Sequence, residues 1–197
     1  MLKLKMLILT DHTNHSSENS LYPLARVLRK HSSCAHIDVA TRGIKMNEPF
    51  FKKLQPENLL VSRVNEDFVF HQEGLYFEKH LSVESINDYD VVWLRLPPPL
   101  SEDFLFFLQR EFPGQLFINA PSGIYETGSK EFLMNFEDLC PPIEICKSVE
   151  QIEALKNKFP IILKPLREYG GNGLIKIDGE RVWEGGEEVS FREFIEK

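Results

Sequence analysis

The first forty residues constrain the fold most. Residues 4–10, Leu-Lys-Met-Leu-Ile-Leu-Thr, form an apolar run with no helical period, which reads as a buried strand. Across residues 19–31, Leu21, Leu24, Ala25 and Leu28 recur at i, i+3, i+4 and i+7, one apolar stripe of a helix. Pro23 falls in its first turn, where a missing N–H costs little. Residues 36–40 read as a second strand. Strand, helix, strand is the unit of a parallel sheet. The opening apolar run is only about four residues long before Asp11 and His12, too short for the core of a signal peptide.

The alternation continues. Short strands are predicted at 59–63, 68–71 and 75–77, the last two as a hairpin about Gln72-Glu73-Gly74. Residues 42–55 are weakly patterned. The strongest strand is 90–96, Asp-Val-Val-Trp-Leu-Arg-Leu, stopped by Pro97, Pro98 and Pro99. A helix over 102–112 and a strand at 116–119 follow. An open doubly wound sheet is the natural solution for residues 1–120.

Beyond residue 120 the pattern changes, and residues 121–197 read as a second, smaller unit. Helices are predicted from Pro121 and over 129–136, and a strand at 143–146. Ser148 with Gln151 has the spacing of a capping box, and Val149, Ile152, Leu155 and Phe159 give that helix an apolar face. A strand follows Pro160 and ends at Lys164. Asp178-Gly179 joins 173–177 to 180–183 in a hairpin, and 191–197 begins a helix.

Composition narrows the function. Lys and Arg number 23 against 30 Asp and Glu, a net charge of −7. Binding to a nucleic-acid backbone needs clustered positive charge, so this balance argues against it. No apolar run approaches the ~20 residues of a membrane span. The expectation is a cytoplasmic protein. Cys34, Cys140 and Cys146 are odd in number and lack Cys-x-x-Cys spacing, so reduced thiols are expected rather than a disulfide framework or zinc knuckle.

Three segments carry chemistry. Lys164-Pro-Leu-Arg-Glu-Tyr-Gly-Gly-Asn-Gly173 is neither a Walker loop nor a dinucleotide fingerprint. Its three glycines let backbone N–H groups turn toward an anion, and Lys164 adds a point charge. A flexible hairpin entry with a surface lysine stays open beside the phosphate-site reading. Gly128-Ser-Lys130 reverses the end of a Walker loop, which excludes a P-loop there. It leaves Lys130 in the first turn of a helix, where the helix dipole disfavours a cation unless an anion is bound or water solvates it. Arg95, at the end of a buried strand, meets either an external carboxylate or phosphate or an internal acidic residue. His12 and His15 lie in a loop at a strand's carboxyl end, as plain polar side chains or as substrate contacts.

The order of these segments resembles the ATP-grasp ligases, and among them the bacterial-type glutathione synthetases. Asp90-Val-Val-Trp-Leu-Arg-Leu-Pro-Pro-Pro99, Phe117-Ile-Asn-Ala-Pro-Ser-Gly123, Ser129-Lys-Glu-Phe132 and Pro160-Ile-Ile-Leu-Lys-Pro-Leu166 carry the resemblance, with Gly170-Gly-Asn-Gly173 behind the last. It implies a Rossmann-like preATP-grasp domain over 1–120, then the small N-terminal α+β subdomain of an ATP-grasp fold over 121–197. It implies that ATP phosphorylates a carboxylate and an amine then displaces phosphate, with γ-glutamylcysteine and glycine as the pair in glutathione synthesis. Lys130, Lys164, Gly170, Gly171, Asn172 and Gly173 would hold ATP. Arg95 would lie on the substrate side, with Asp11 and Asn19 of the 11–19 loop near it. No residue is assigned as catalytic. The Mg²⁺ ligands are expected outside this chain, together with the family's large C-terminal subdomain, so the chain is expected to be an N-terminal part, inactive alone. Small molecules are the expected partners, and a homo-oligomer is left open. An ATP-grasp ligase with another amino-acid or peptide substrate, or a non-catalytic nucleotide- or peptide-binding module, are the competing readings.

Overall fold

Alternation along β1 (Leu4–Thr10) explains the centre of the fold. Leu7 and Leu9 enter one core and Ile8 the other, so both faces of the strand are covered. In the computed structural model, which describes residues 3–79 and 81–196, β1 pairs in parallel with β2 (Cys34–Thr41) and β5 (Val91–Arg95). β5 pairs in parallel with β6 (Leu116–Ile118). On the other side β3 (Leu59–Arg63) and β4 (Leu81–Glu84) add antiparallel strands, giving the order β4-β3-β2-β1-β5-β6. The sheet is thus mixed, with a parallel centre.

One face is covered by α1 (Leu21–Arg29). Leu21, Tyr22 and Ala25 pack with Ile8, Ile37, Val39, Phe68 and Phe77. Leu24, expected on the same stripe, is exposed, because the buried face centres on Tyr22 and Ala25. The other face meets the four-residue α2 (Glu48–Phe51) and α3 (Glu102–Glu111). Phe50, Phe51, Phe104, Phe107 and Phe112 interlock there, with edge-to-face contacts such as Phe50 to Phe107 at 5.2 Å. Asp38 is a buried carboxylate inside this sheet. It is held by Arg63 opposite it on β3 and by the Tyr89 hydroxyl at 2.8 Å.

The chain forms two compact units, Met1–Tyr125 and Glu126–Lys197, with α4 (Pro121–Thr127) running across the division. The second unit opens with a 3-10 segment, Lys130–Leu139, and then α5 (Val149–Lys156). β7 (Ile161–Leu163), β8 (Ile175–Asp178), β9 (Arg181–Glu184) and β10 (Glu187–Ser190) form an antiparallel sheet in the order β10-β9-β8-β7. Its core is Ile161, Ile177, Val182 and Phe191, the last at the start of α6 (Phe191–Ile195). Lys156 is buried, paired with Glu180 and seated 4.5 Å over the Phe191 ring.

Several expectations are corrected. The hairpin at 68–71 and 75–77 does not form: Leu75–Glu78 is a 3-10 turn, and Phe68, Tyr76 and Phe77 are buried core side chains. Their apolar spacing reflects packing on α1 rather than a ladder. Residues 143–146 are not a strand: among the described residues no strand pairs with them. Ser148 makes no side-chain cap. Gln151 instead accepts the Lys147 N–H at 2.6 Å. Of the helix expected at 191–197, Lys197 lies outside the described residues. Among the described residues no helix is long and apolar enough to cross a membrane.

Candidate functional site

Two groups of the singled-out residues stand in the two units. In the second unit, β7 ends at Leu163 and the chain loops through residues 164–174 before returning as β8. Lys164 is exposed at the strand's end. Gly170, Gly171 and Gly173 all adopt the left-handed conformation, with φ of +68°, +83° and +67°. A side chain at any of these would be strained, and at Gly173 a Cβ would also fall 2.8 Å from Pro165 Cγ. Gly173 therefore closes the loop's base against Pro165. The loop itself is exposed.

Lys130 is joined to this loop. Its backbone N–H donates to Leu166 O at 2.9 Å, and its ammonium donates to the carbonyls of Pro165 and Glu168, each at 2.6 Å. The Tyr169 ring lies 5.9 Å from that ammonium, and the Tyr169 hydroxyl donates to Gly128 O at 2.9 Å. Ser129 caps the segment by accepting the Glu131 N–H. The structure so brings Lys130 onto the loop segment that follows Lys164, just before the glycines. Tyr169 was missed in the sequence reading; an aromatic directly before a glycine pair is the signal that could have marked it. The ammonium is held by neutral carbonyls and keeps its positive charge uncancelled by them, which suits an anion held nearby.

The residues present can be tested for fit to the implied groups. A lysine at the end of a strand, a second lysine fixed to the same loop and three left-handed glycines suit a nucleotide's phosphates. For a metal the fit fails: among the described residues no group of three His, Cys, Asp or Glu side chains could hold an ion.

In the first unit, three parallel strands end side by side. Thr10 of β1 stands opposite Thr41 of β2 and Arg95 of β5. β1 connects through α1 to β2 on one side and has β5 on the other, so this is where the strand order reverses, the usual ligand position in such sheets. Asp11 is 5% exposed and its oxygens are fully engaged. They accept from Thr13 N, Thr13 Oγ1, Asn14 Nδ2 and, at 2.6 Å, Arg42 Nε. Burial pushes this carboxyl up, but the Thr13 and Arg42 contacts outweigh it and hold it below the usual carboxylate value. Asn19 Oδ1 accepts the Leu21 N–H at 2.9 Å, so it shapes the start of α1.

Arg95 is half-buried. One arm of its guanidinium donates to Ser20 Oγ at 2.9 Å, and the group sits 5.3 Å over the Trp93 ring. These partners are a hydroxyl and an indole face, not an internal acidic residue. Beside it His15 bridges the Tyr22 hydroxyl and the Thr10 hydroxyl at 2.8 and 3.0 Å. His12 stacks on Phe77 at 4.8 Å and touches Thr41 Oγ1 at 2.9 Å. Burial lowers both imidazoles' affinity for protons, that of His15 to about 4. The glycines at 43 and 74 make room for the His12 ring: a Cβ on Gly43 would lie 2.6 Å from its Cε1. Neither Arg42 nor the serine at 20 was singled out in the sequence. Both follow from position in the fold, where no local motif marks them.

Comparison with known proteins gives the class first. Residues 129–183 match the family described as prokaryotic glutathione synthetase, ATP-grasp domain. That stretch contains Lys130, Lys164 and the whole glycine loop. The particular resemblance is to glutathione synthetases. The enzyme of Bradyrhizobium diazoefficiens is 34% identical over 98 residues, 48% of this chain and 31% of that protein. That of Rhodopseudomonas palustris is 30% identical over 125 residues, 61% of this chain and 40% of that protein. That of Pseudomonas aeruginosa is 27% identical over 163 residues, 78% of this chain and 51% of that protein. The chain spans from under a third to about half the length of these relatives.

Proposed function

We propose that this chain serves an ATP-dependent carboxylate–amine ligase of glutathione synthetase type, acting through an acyl phosphate. The observation that carries the reading is the joining of Lys130 to the 165–168 backbone, directly before three left-handed glycines, inside the matched segment. ATP, when bound, supplies the phosphoryl group that activates the carboxylate. The chain's own residues then have distinct tasks. Lys164 and Lys130 offset phosphate charge, and the backbone of Gly170, Gly171, Asn172 and Gly173 would supply donors to the same oxygens, the Asn172 N–H first leaving its bond to Tyr169 O. The exposed loop is free to fold over the phosphates and exclude water from a reactive acyl phosphate. The first unit is the substrate side, with Arg95 facing the ligand and Asp11 and Asn19 shaping the loop beside it. γ-Glutamylcysteine and glycine are the acid and amine this reading favours. Small molecules are the partners, and the cytoplasm is the compartment.

The 197 residues alone turn over no substrate on this reading, because the described residues supply no acidic cluster for Mg²⁺. Nucleotide binding to this chain, followed by calorimetry or by fluorescence of a nucleotide analogue, tests the site directly. Lys164→Ala should weaken it about tenfold or more, the loss of a charge-assisted contact. Equal binding by the variant would refute the lysine's role. Phosphate release by the unmodified chain with ATP, Mg²⁺, γ-glutamylcysteine and glycine would refute the inactivity. Nucleotide binding without such release in any longer form of the protein would favour a non-catalytic module.

A further inference from the structure

The glycine loop is not loose along its whole length. Residues 165–169 are tied to the 128–130 turn, 35 to 41 positions earlier in the chain. Lys130 supplies three of the ties: its N–H donates to Leu166 O, and its ammonium donates to Pro165 O and Glu168 O. Tyr169 supplies the fourth through its hydroxyl, which donates to Gly128 O at 2.9 Å. The turn is a firm anchor, because Ser129 is buried and its hydroxyl accepts the Glu131 N–H at 3.2 Å.

These bonds divide the loop at Tyr169. Before it, the backbone is held. Directly after it come Gly170 and Gly171, both left-handed, with φ of +68° and +83°. A Cβ on Gly170 would meet nothing within 4 Å beyond its chain neighbours, so no packing pins this residue. At the far end Gly173 is closed against Pro165, whose Cγ lies 2.8 Å from where a Cβ would be. The part able to swing is therefore residues 170–172, between fixed ends at Tyr169 and Gly173. One bond holds it in place, Asn172 N–H to Tyr169 O, and at 3.3 Å that bond is long.

The same bonds set the Lys130 ammonium. It has three protons, and two go to the carbonyls of Pro165 and Glu168. Both carbonyls belong to the tied segment, so their positions depend on the Tyr169 hydroxyl that holds its end. A lysine side chain loses much rotamer freedom when it is fixed on a ligand. Here that freedom is lost before any ligand arrives, which favours binding of an anion. The acceptors are neutral, so the charge stays available to it.

We infer that Tyr169 is a positioning residue for the phosphate site: its hydroxyl straps residues 165–169 to the 128–130 turn, fixes the Lys130 ammonium through the carbonyls of that segment, and confines the loop's movement to residues 170–172. This rests on the reading of the glycine loop as a nucleotide site. It adds what assembles that site before a nucleotide arrives.

The test is a double-mutant cycle on the 197-residue chain, with Tyr169→Phe, Lys130→Gln and the double variant. ATP is the probe, its affinity read by calorimetry and, for the weakest variants, by ¹H–¹⁵N NMR shift titration. Hydrogen exchange of the Lys130 amide is followed by NMR without nucleotide. In Tyr169→Phe that amide should exchange about threefold to tenfold faster, the span of one hydrogen bond, with the amides of β8 and β9 unchanged. The same substitution should weaken ATP binding about threefold to tenfold beside Lys130, and less than about twofold in the Lys130→Gln background. An equal loss in both backgrounds overturns the positioning role, because Tyr169 then supports the loop without acting through Lys130. Unchanged exchange of the Lys130 amide overturns the strap. Tighter ATP binding by Tyr169→Phe also overturns the inference, since the tether is then a brake that the nucleotide must release. If the unmodified chain binds no ATP, the ligase reading falls and the positioning role with it. ATP binding without coupling between Tyr169 and Lys130 removes the Tyr169 role alone.

Discussion

At the scale of single residues, the two sites differ in how they treat charge. Around the glycine loop, Lys130 is held by carbonyls and Lys164 is exposed, so positive charge is kept available. In the first unit the opposite choice is made at Asp11, where every lone pair is taken and Arg42 supplies the countercharge. Removing that countercharge by Arg42→Met leaves a buried carboxylate with its hydroxyl and amide donors but no cation. At neutral pH the cost should fall in the lower half of about 1–3 kcal/mol, because Arg42 itself is about one-third exposed. Its pH dependence has a definite sign. The folded-state pKa of Asp11 is lowered, so its contribution is present above the ordinary value of 3.8 and fades as pH falls through the lower folded value. Urea melts of the two proteins should therefore differ most at neutral pH and converge in acid. A difference that stays unchanged on acidification would show that Arg42 stabilises by packing rather than charge.

At the scale of elements, capping separates two helices that look alike in sequence. Ser148 with Gln151 and Ser190 with Glu193 share the same spacing. Only the second closes: Ser190 Oγ accepts from Glu193 N at 3.2 Å, and Glu193 Oε2 accepts from Ser190 N at 2.9 Å. Ser190→Ala should thus cost about 1 kcal/mol, and Ser148→Ala clearly less, in matched thermal melts. The reverse ranking would mean that the Ser148 cap forms in solution. The same contrast shows what sequence could reveal. β1, β2, β3 and β5 were legible because strands buried on both faces must be continuously apolar. β4 and β10 were not, since Leu-Ser-Val-Glu and Glu-Glu-Val-Ser are edge strands with little to bury. Residues 143–146 alternate like a strand, but alternation supplies no partner. The glycine loop and Arg95 were legible from residue type and place along the chain. The coupling of Arg42 to Asp11 joins residues brought together only when β1 pairs with β2, and that of His15 to Thr10 depends on how the 11–19 loop folds back over the end of β1, so no local pattern records either.

At the scale of the whole molecule, the two units differ in how much they bury. The first has two cores, one on each face of a six-stranded sheet, including fully buried Phe50, Phe68, Phe77 and Phe107. The second has four buried apolar residues, Ile161, Ile177, Val182 and Phe191, under an antiparallel sheet with an exposed loop. Because opening free energy follows the apolar contacts a region must break, the second unit should open more readily. On the proposed function, that suits a loop that closes over a nucleotide, while the first unit keeps a rigid sheet edge for the substrate. Val182→Ala deletes two methyl groups at the centre of the smaller core and should cost it about 1–3 kcal/mol. Hydrogen exchange read by mass spectrometry should then show β7 to β10 exchanging faster, roughly tenfold or more, with β1, β2 and β5 unchanged. If all strands accelerate together, the two units unfold as one cooperative body and the smaller core does not set a separate, lower opening free energy. If only the second unit responds, its low stability is a property of its own residues, Ile161, Ile177, Val182 and Phe191, and of the small core they make.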